Sequence, residues 1–345
     1  MTPEIWFLSS GLELADEARG NGIEVHELGW RGGIDAAFSK IGSDKNSRER
    51  VLFVNGYCSA LLAALRSECG GVVVVEHGGP LLNPEVSGLK AAIIQRRVRG
   101  LAAKRVDAEV SVSSFMFGIQ SAVPHASRMR IIRNGVELEA FTPRQWDACD
   151  ARRIGSGRIR LRCAGRLLES KGFGYAIDAV GLLKNRGVRV TLEIAGTGPA
   201  AASLAEHARN RDLADDIALV GPIVDMAEFW RGADVAVVPS FPLVESFGMT
   251  ALEAAASGVP VVASAAGGLA ELVRHGATGM LVRPGSGQAL AEAVARYVGD
   301  PGMCAAHGSA GRRMCEREYS MAKTAEQYAE LARGIALPGS RPCGI

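Results

Sequence analysis

Two carboxylates and the loop between them carry the clearest chemistry in this sequence. Glu245 and Glu253 lie in Pro239-Ser240-Phe241-Pro242-Leu243-Val244-Glu245-Ser246-Phe247-Gly248-Met249-Thr250-Ala251-Leu252-Glu253-Ala254. The apolar run Val235–Val238 reads as a strand that ends at Pro239. Gly248 lets the backbone turn close to a ligand, and a helix opens near Met249 with free N–H groups pointing back along its axis. Glu253 sits about one turn into that helix. Two carboxylates so placed accept two different sets of hydroxyls, and the amides between them hold an anion. A polyhydroxylated, phosphorylated ligand such as a nucleotide sugar matches that pattern. The plainer alternative makes Glu245 a partner of the helix dipole and Glu253 part of a solvated face.

A second cluster is basic. In Cys163-Ala164-Gly165-Arg166-Leu167-Leu168-Glu169-Ser170-Lys171-Gly172 a strand turns at Gly165 into a helix. Arg166 and Lys171 fall at the carboxyl edge of the sheet, near a helix N-terminus. Two fixed cations and a helix dipole suit a diphosphate; as solvated surface charges they would mean little. His77, in Glu76-His77-Gly78-Gly79, follows the strand Val72–Val75 in a loop able to approach a ligand; capping a turn is its other reading. The remaining histidines have no comparable setting.

Elements of alternating type must position these residues. Strands are expected at Ile5–Leu8, Ile23–Leu28, Val51–Val54, Val72–Val75, Glu109–Val112 and Met129–Ile132, with helices at Ser59–Glu68 and Ser87–Lys104. The second half repeats the alternation. Its strands are expected at Ile159–Ala164, Arg189–Ala195, Ile217–Val220, Val235–Val238, Val259–Ala263 and Gly279–Val282. Its helices are expected at Phe173–Asn185, Ala200–Arg209, Met226–Arg231, Thr250–Ala256, Ala266–Val273 and Ser286–Val298. Alternating β and α implies parallel sheets covered on both faces, hence an α/β chain of two Rossmann-like domains. Phe141–Gly157, with Pro143, two glycines and no apolar period, reads as the boundary. A last helix is expected at Glu318–Ile335, after a break at Pro301–Gly302. Such domains bind ligands at the carboxyl ends of their strands, so function should lie in the cleft between them.

Composition narrows the alternatives. The chain has 345 residues, 39 Lys and Arg, 37 Asp and Glu, and a net charge of +2. The first 150 residues sum to −1 and the rest to +3, so neither half has the excess of a nucleic-acid binder. The hydrophobic fraction of 48% suffices for two cores. No apolar run reaches the ~18 residues that span a bilayer, and Met1–Ser10 does not read as a secretory signal. Seven widely spaced cysteines without a CxxC pair argue against a disulfide framework or a zinc site and for a reducing cytoplasm.

Glu245 and Glu253 bracket seven residues, and this run resembles the E-x7-E motif of retaining glycosyltransferases of family 4. The stretch from Arg158 to about Asp300 is similar to their donor-binding domain. Gly165-Arg166…Lys171-Gly172, Ile194-Ala195-Gly196-Thr197-Gly198-Pro199, Ala233-Asp234-Val235, Pro239-Ser240, Gly258-Val259-Pro260-Val261-Val262-Ala263 and Gly267-Gly268…Glu271 stand in the family's order. Arg133-Asn134-Gly135-Val136…Phe141 resembles its interdomain segment, with Arg133 in place of the usual proline.

The resemblance implies the GT-B fold, with an acceptor-binding domain over residues 1–143 and a donor-binding domain over 157–317. A C-terminal helix at about 318–337 would pack back on the first. It implies transfer of a sugar from a nucleotide-diphosphate donor to a hydroxyl acceptor, with retention and with neither metal nor cofactor. The absence of any Asp-x-Asp agrees with that. By the same resemblance, Arg166 and Lys171 bind the donor diphosphate and Glu253 takes the ribose hydroxyls. Glu245 holds sugar hydroxyls, and His77 faces the donor sugar. Phe247, Gly248, Met249 and Thr250 contact sugar and phosphate through their backbone. Asn134, Ile223, Val224 and Gly11 complete the donor-binding set, Ile223 and Val224 at the base and Gly11 at the phosphate.

The family's Gly-rich first loop is reduced here to Ser9-Ser10-Gly11-Leu12, which leaves the acceptor open. Lys90–Arg105 carries six basic residues and no acid. It would serve as a peripheral membrane contact for a lipid-linked acceptor at the inner membrane face, or as a helix packed on its own sheet. A nicotinamide-dependent oxidoreductase, drawing on Gly196-Thr197-Gly198-Pro199, and a two-domain solute-binding protein remain the rival readings.

Overall fold

A computed structural model describes residues 4–7, 24–27, 51–55, 71–78, 106–120, 129–242 and 245–336. In the first half, β1 (Glu4–Phe7) pairs with β2 (Glu24–Glu27), and β3 (Val51–Asn55), β4 (Gly71–Glu76), β5 (Ala108–Ser111) and β6 (Met129–Ile131) form a four-stranded sheet in that order. All these pairings are parallel. The valines of β4 are buried on both faces, as a strand covered on both sides requires. Helix α1 (Ser114–Gln120) follows β5; its short mixed sequence gave no periodic signal.

The second half contains six parallel strands: β7 (Arg158–Ala164), β8 (Arg189–Ala195), β9 (Ile217–Gly221), β10 (Val235–Val238), β11 (Val261–Ser264) and β12 (Gly279–Val282). Their order is β12-β11-β10-β7-β8-β9. The chain builds outward from β7 through β8 to β9, then crosses to the other side of β7 and continues with β10. The strand order therefore reverses between β7 and β10, where an open α/β sheet leaves a crevice at its carboxyl edge. Val235 pairs with Leu161 and Ala236 with Arg162, so the two strands end side by side.

Helices cover both faces. Val235 and Val237 point into a core shared with α3 (Phe173–Asn185), α4 (Ala201–Arg209) and α8 (Gly287–Gly299). Ala236 and Val238 point into the other, shared with α5 (Met226–Arg231), α6 (Met249–Ala256), α7 (Leu269–Leu272) and α9 (Gly302–Glu318). Alternate residues of one strand thus feed the two cores. The last helix, α10 (Met321–Ala336), places Tyr328, Leu331 and Ile335 against Val73, Val75 and Val110 of the first sheet. Tyr328 meets Phe53 edge-on at 5.6 Å. Val136 of the first crossing accepts from the Met321 amide of the second at 3.0 Å, so the two crossings are paired.

Two segments differ from the sequence expectation. Residues 141–157 contain α2 (Ala148–Gly155), capped by Asp147 and with Ile154 its one buried residue. Arg153 of α2 and Arg144 before it both reach the fully buried Asp234. Pro301–Gly302 is the start of α9 rather than a break before the last helix. A Cβ at Gly308 would strike the Gly258 carbonyl just past α6, whereas one at Gly311 would only touch Ala255. Gly308 lets α9 close on the end of α6, and the glycines of α9 lower its helix propensity. Among the described residues no helix is long and apolar enough to cross a membrane.

Candidate active site

The loops after β7 and β10 meet at the reversal point. Gly172 adopts φ +70°, and a Cβ there would run into the Pro239 carbonyl. The Phe241 amide donates to the Ser170 carbonyl at 3.0 Å. This docking brings Lys171 Nζ to 2.6 Å from Glu245 Oε1, and the buried Ser240 hydroxyl donates to the same oxygen at 2.7 Å. Glu245 is itself only 8% exposed, so its charge is matched before any ligand arrives. Arg166 stands exposed on the same loop, with no ion-pair partner among the described residues.

Gly248, at φ +104°, caps α6, so the first amides of the helix, those of Met249 and Thr250, open at the end of the Glu245 loop. A side chain at Gly248 would strike Leu269. Met249 is exposed and Thr250 half-buried, whereas the Phe247 ring is buried beside Tyr319 at 5.9 Å. Phe247 can therefore offer a ligand only its backbone. Glu253 accepts from the indole N–H of the fully buried Trp230 at 3.2 Å. Burial raises its pKa above the usual carboxylate range, and the Trp230 bond opposes the shift in part.

His77 projects from the end of β4 and is exposed at its rim, yet the surrounding protein desolvates its ring and lowers its pKa. The same loop faces the second domain: a Cβ on Gly78 would stand 3.7 Å from Ser246 Oγ. Asn134 is half-buried in the crossing segment, next to Gly135, which lies flat on Met321. Ile223 leans on the second core and Val224 is fully exposed, both beyond the end of β9. Gly11 and Lys90–Arg105 lie outside the described residues.

Three contributors had no role from sequence alone. Ser240 and Trp230 each hold one of the two glutamates, and Glu271 bonds residues of the first domain. Ser240, directly after the strand's terminal proline, and Glu271, in the motif Gly267-Gly268…Glu271, had a positional signal; Trp230 had none. Gly196 and Gly198, the best support for a dinucleotide site, are used otherwise. Side chains there would strike the carbonyls of Gly165 and Leu167, so the glycines let the loop after β8 pack under the loop after β7. A polar cavity of about 650 Å³ between α3 and α8, lined by Asp178, Lys184 and Arg211 among others, contains none of these site residues.

Residues 158–300 match the family model described as glycosyl transferases group 1. The glycogen synthase of Mycobacterium tuberculosis is 29% identical over 318 residues, covering 88% of this chain and 74% of that protein. The lipopolysaccharide core biosynthesis mannosyltransferase LpcC of Rhizobium leguminosarum is 32% identical over 233 residues, covering 64% and 63%. Among solved structures, Anabaena HepE in complex with UDP-glucose superposes with a TM-score of 0.76 at 20% identity, over 96% of this chain and 99% of that one. The matched segment contains both cation and carboxylate loops, and the fold likeness runs through both halves. Over residues 158–300 this chain is similar to the group 1 glycosyl transferases, and as a whole it is built on the GT-B fold.

Proposed function

We propose that this protein is a retaining, metal-independent glycosyltransferase of family 4 that moves a hexosyl group from a nucleotide-diphosphate sugar to a hydroxyl acceptor. The observation that carries this reading is the meeting of the Lys171 and Glu245 loops where the strand order reverses. A glycogen synthase and a mannosyltransferase among the relatives, and a UDP-glucose complex among the fold neighbours, support a donor of this class.

The donor diphosphate lies between Arg166, Lys171 and the α6 N-terminus. Glu253 takes the ribose hydroxyls, and the base lies toward Ile223 and Val224. Glu245 takes sugar hydroxyls, opposite His77. As the bond from the anomeric carbon to the phosphate oxygen breaks, positive charge builds on the sugar and negative charge on the diphosphate. Preorganised cations and amides lower that barrier. The acceptor oxygen bonds the anomeric carbon on the face the phosphate leaves, and its proton passes to the departing phosphate oxygen. Arg166 and Lys171 neutralise the phosphates, which makes a metal unnecessary. Residues 1–143 bind the acceptor, and a basic segment at Lys90–Arg105 gives a cytoplasmic enzyme its peripheral hold on a membrane.

A panel of UDP-glucose, UDP-N-acetylglucosamine and GDP-mannose, read by nucleotide release with candidate acceptors, tests the reading. The proton NMR coupling of the product should show the donor's anomeric configuration, and turnover should survive excess EDTA. An inverted product removes the retaining mechanism; loss of turnover that Mg²⁺ or Mn²⁺ restores removes metal independence.

A further inference from the structure

We infer that Glu271 is a positioning residue that docks the first domain onto the donor loop and so sets His77 against Glu245. The inference rests on the function proposed above. The motif Gly267-Gly268…Glu271 has no part in that chemistry, yet its acidic residue leaves its own domain. Glu271 accepts from the Phe115 amide at 2.6 Å with Oε1 and from the Ser114 amide at 3.0 Å with Oε2. Both amides belong to the first turn of α1, which lacks helical acceptors for them. Arg133 stands 3.6 Å from the same carboxylate. An anion held by two helix amides and a guanidinium forms a charge-assisted tie.

The neighbouring contacts converge on the donor loop. Ser113 Oγ donates to the Ser246 carbonyl at 2.6 Å, next to Glu245, and accepts from the Met116 amide. The Gly268 amide donates to the Glu245 carbonyl at 2.9 Å. Side chains at Gly267 and Gly268 would strike the backbone of Glu245 and Phe247, so the segment bearing Glu271 lies directly on the catalytic loop. Gly78, adjoining His77, faces Ser246 across the same seam. One carboxylate therefore fixes two loops from different domains in register. Arg166, Lys171, Glu253 and the α6 amides, which carry most of the proposed diphosphate and ribose contacts, belong to the second domain, while the sugar needs both. Loss of the tie should spare nucleotide binding and cost turnover.

Glu271→Ala and Ser113→Ala, with Lys171→Ala as the reference for a lost phosphate contact, separate the roles. UDP affinity by calorimetry should stay within about threefold of wild type in both seam variants, and kcat/KM in Glu271→Ala should fall by about a hundredfold, the scale of an ångström's misplacement. Ser113→Ala, which keeps the Glu271 tie, should lose less. Small-angle scattering of Glu271→Ala should give a larger radius of gyration at an unchanged melting temperature. This arm reads the tie even if no donor is accepted, in which case the proposed function fails and the inter-domain tie is judged by scattering alone. Wild-type turnover in Glu271→Ala, loss of UDP binding equal to that in Lys171→Ala, or an unchanged radius of gyration would each overturn the role.

Discussion

Lys171 Nζ and Glu245 Oε1 lie 2.6 Å apart, each satisfying the other's charge across the crevice between two loops. A diphosphate carries more negative charge than one carboxylate and competes for Lys171. In the proposed complex Glu245 keeps the Ser240 hydroxyl and turns to the sugar. Both side chains are mostly shielded, so the donor can separate the pair only by replacing each lost contact, a phosphate oxygen for Lys171 and sugar hydroxyls for Glu245.

Glu245→Gln should consequently uncouple binding from transfer. The freed Lys171 should hold UDP as tightly as in wild type or up to about fivefold more tightly, while sugar transfer collapses. Calorimetry with UDP beside steady-state rates measures both. A large loss of UDP affinity would show that Glu245 belongs to the nucleotide site instead.

Glu253 sets a pH dependence. Its pKa lies above the ordinary 4.5 because burial penalises its charge, and the proposed ribose contact needs the ionised form. UDP affinity should fall on acidification from above the ordinary carboxylate range, approaching tenfold per pH unit below the pKa. Trp230→Phe removes a donor to the carboxylate and should move that limb to higher pH. Glu253→Gln should flatten it. Since the folded pKa exceeds the unfolded one, ionisation costs stability as pH rises through it, and Glu253→Gln should melt higher than wild type at pH 7. An unchanged acid limb in Glu253→Gln would assign the titration elsewhere.

Much of this site was legible because its parts are local. A strand, a turn and a helix opening lie within each of the runs 158–173 and 235–254, and the strand spans of the second sheet follow directly from apolar runs. Partners distant in sequence were not legible. Trp230 is 23 residues from Glu253, and Glu271 is 156 from Phe115. Helix α9 was hidden for a related reason: Gly308, one of the glycines that weaken its helical signal, is required by a close approach to the Gly258 carbonyl that only the folded chain reveals. Helix α2 turns a single apolar residue, Ile154, inward and is otherwise held by arginine pairs, so periodicity could not find it.

Asp234 is the hub of those pairs. It is fully buried, with Arg144, Arg153 and Arg160 within 3.1 Å. Burial alone would raise its pKa, but the hydrogen bonds from Arg153 and Arg160 prevail and lower it. The stability it contributes is present above the ordinary value of 3.8 and is lost as pH falls through the depressed folded pKa. Asp234→Ala strands the arginines and should cost about 3–5 kcal/mol at pH 7, a drop of about 10 °C in melting temperature. A change under about 2 °C would mean that α2 and the crossing segment are held by other contacts.

The central claim is that the crevice between β7 and β10 binds a diphosphate whose charge grows as the sugar leaves. The direct measurement is the steady-state kinetics of Lys171→Ala, Arg166→Ala and Arg166→Lys with the donor the panel selects. Lys171→Ala should lower kcat by about two to three powers of ten, the scale of one lost oxyanion donor, and should also weaken donor binding. Arg166→Lys should lose activity as well, because a point charge cannot reproduce the guanidinium fork. If Lys171→Ala and Arg166→Ala both kept kcat/KM within about threefold of wild type, under about 1 kcal/mol of transition-state stabilisation, the two residues would be solvated surface charges and the crevice would not be the phosphate site.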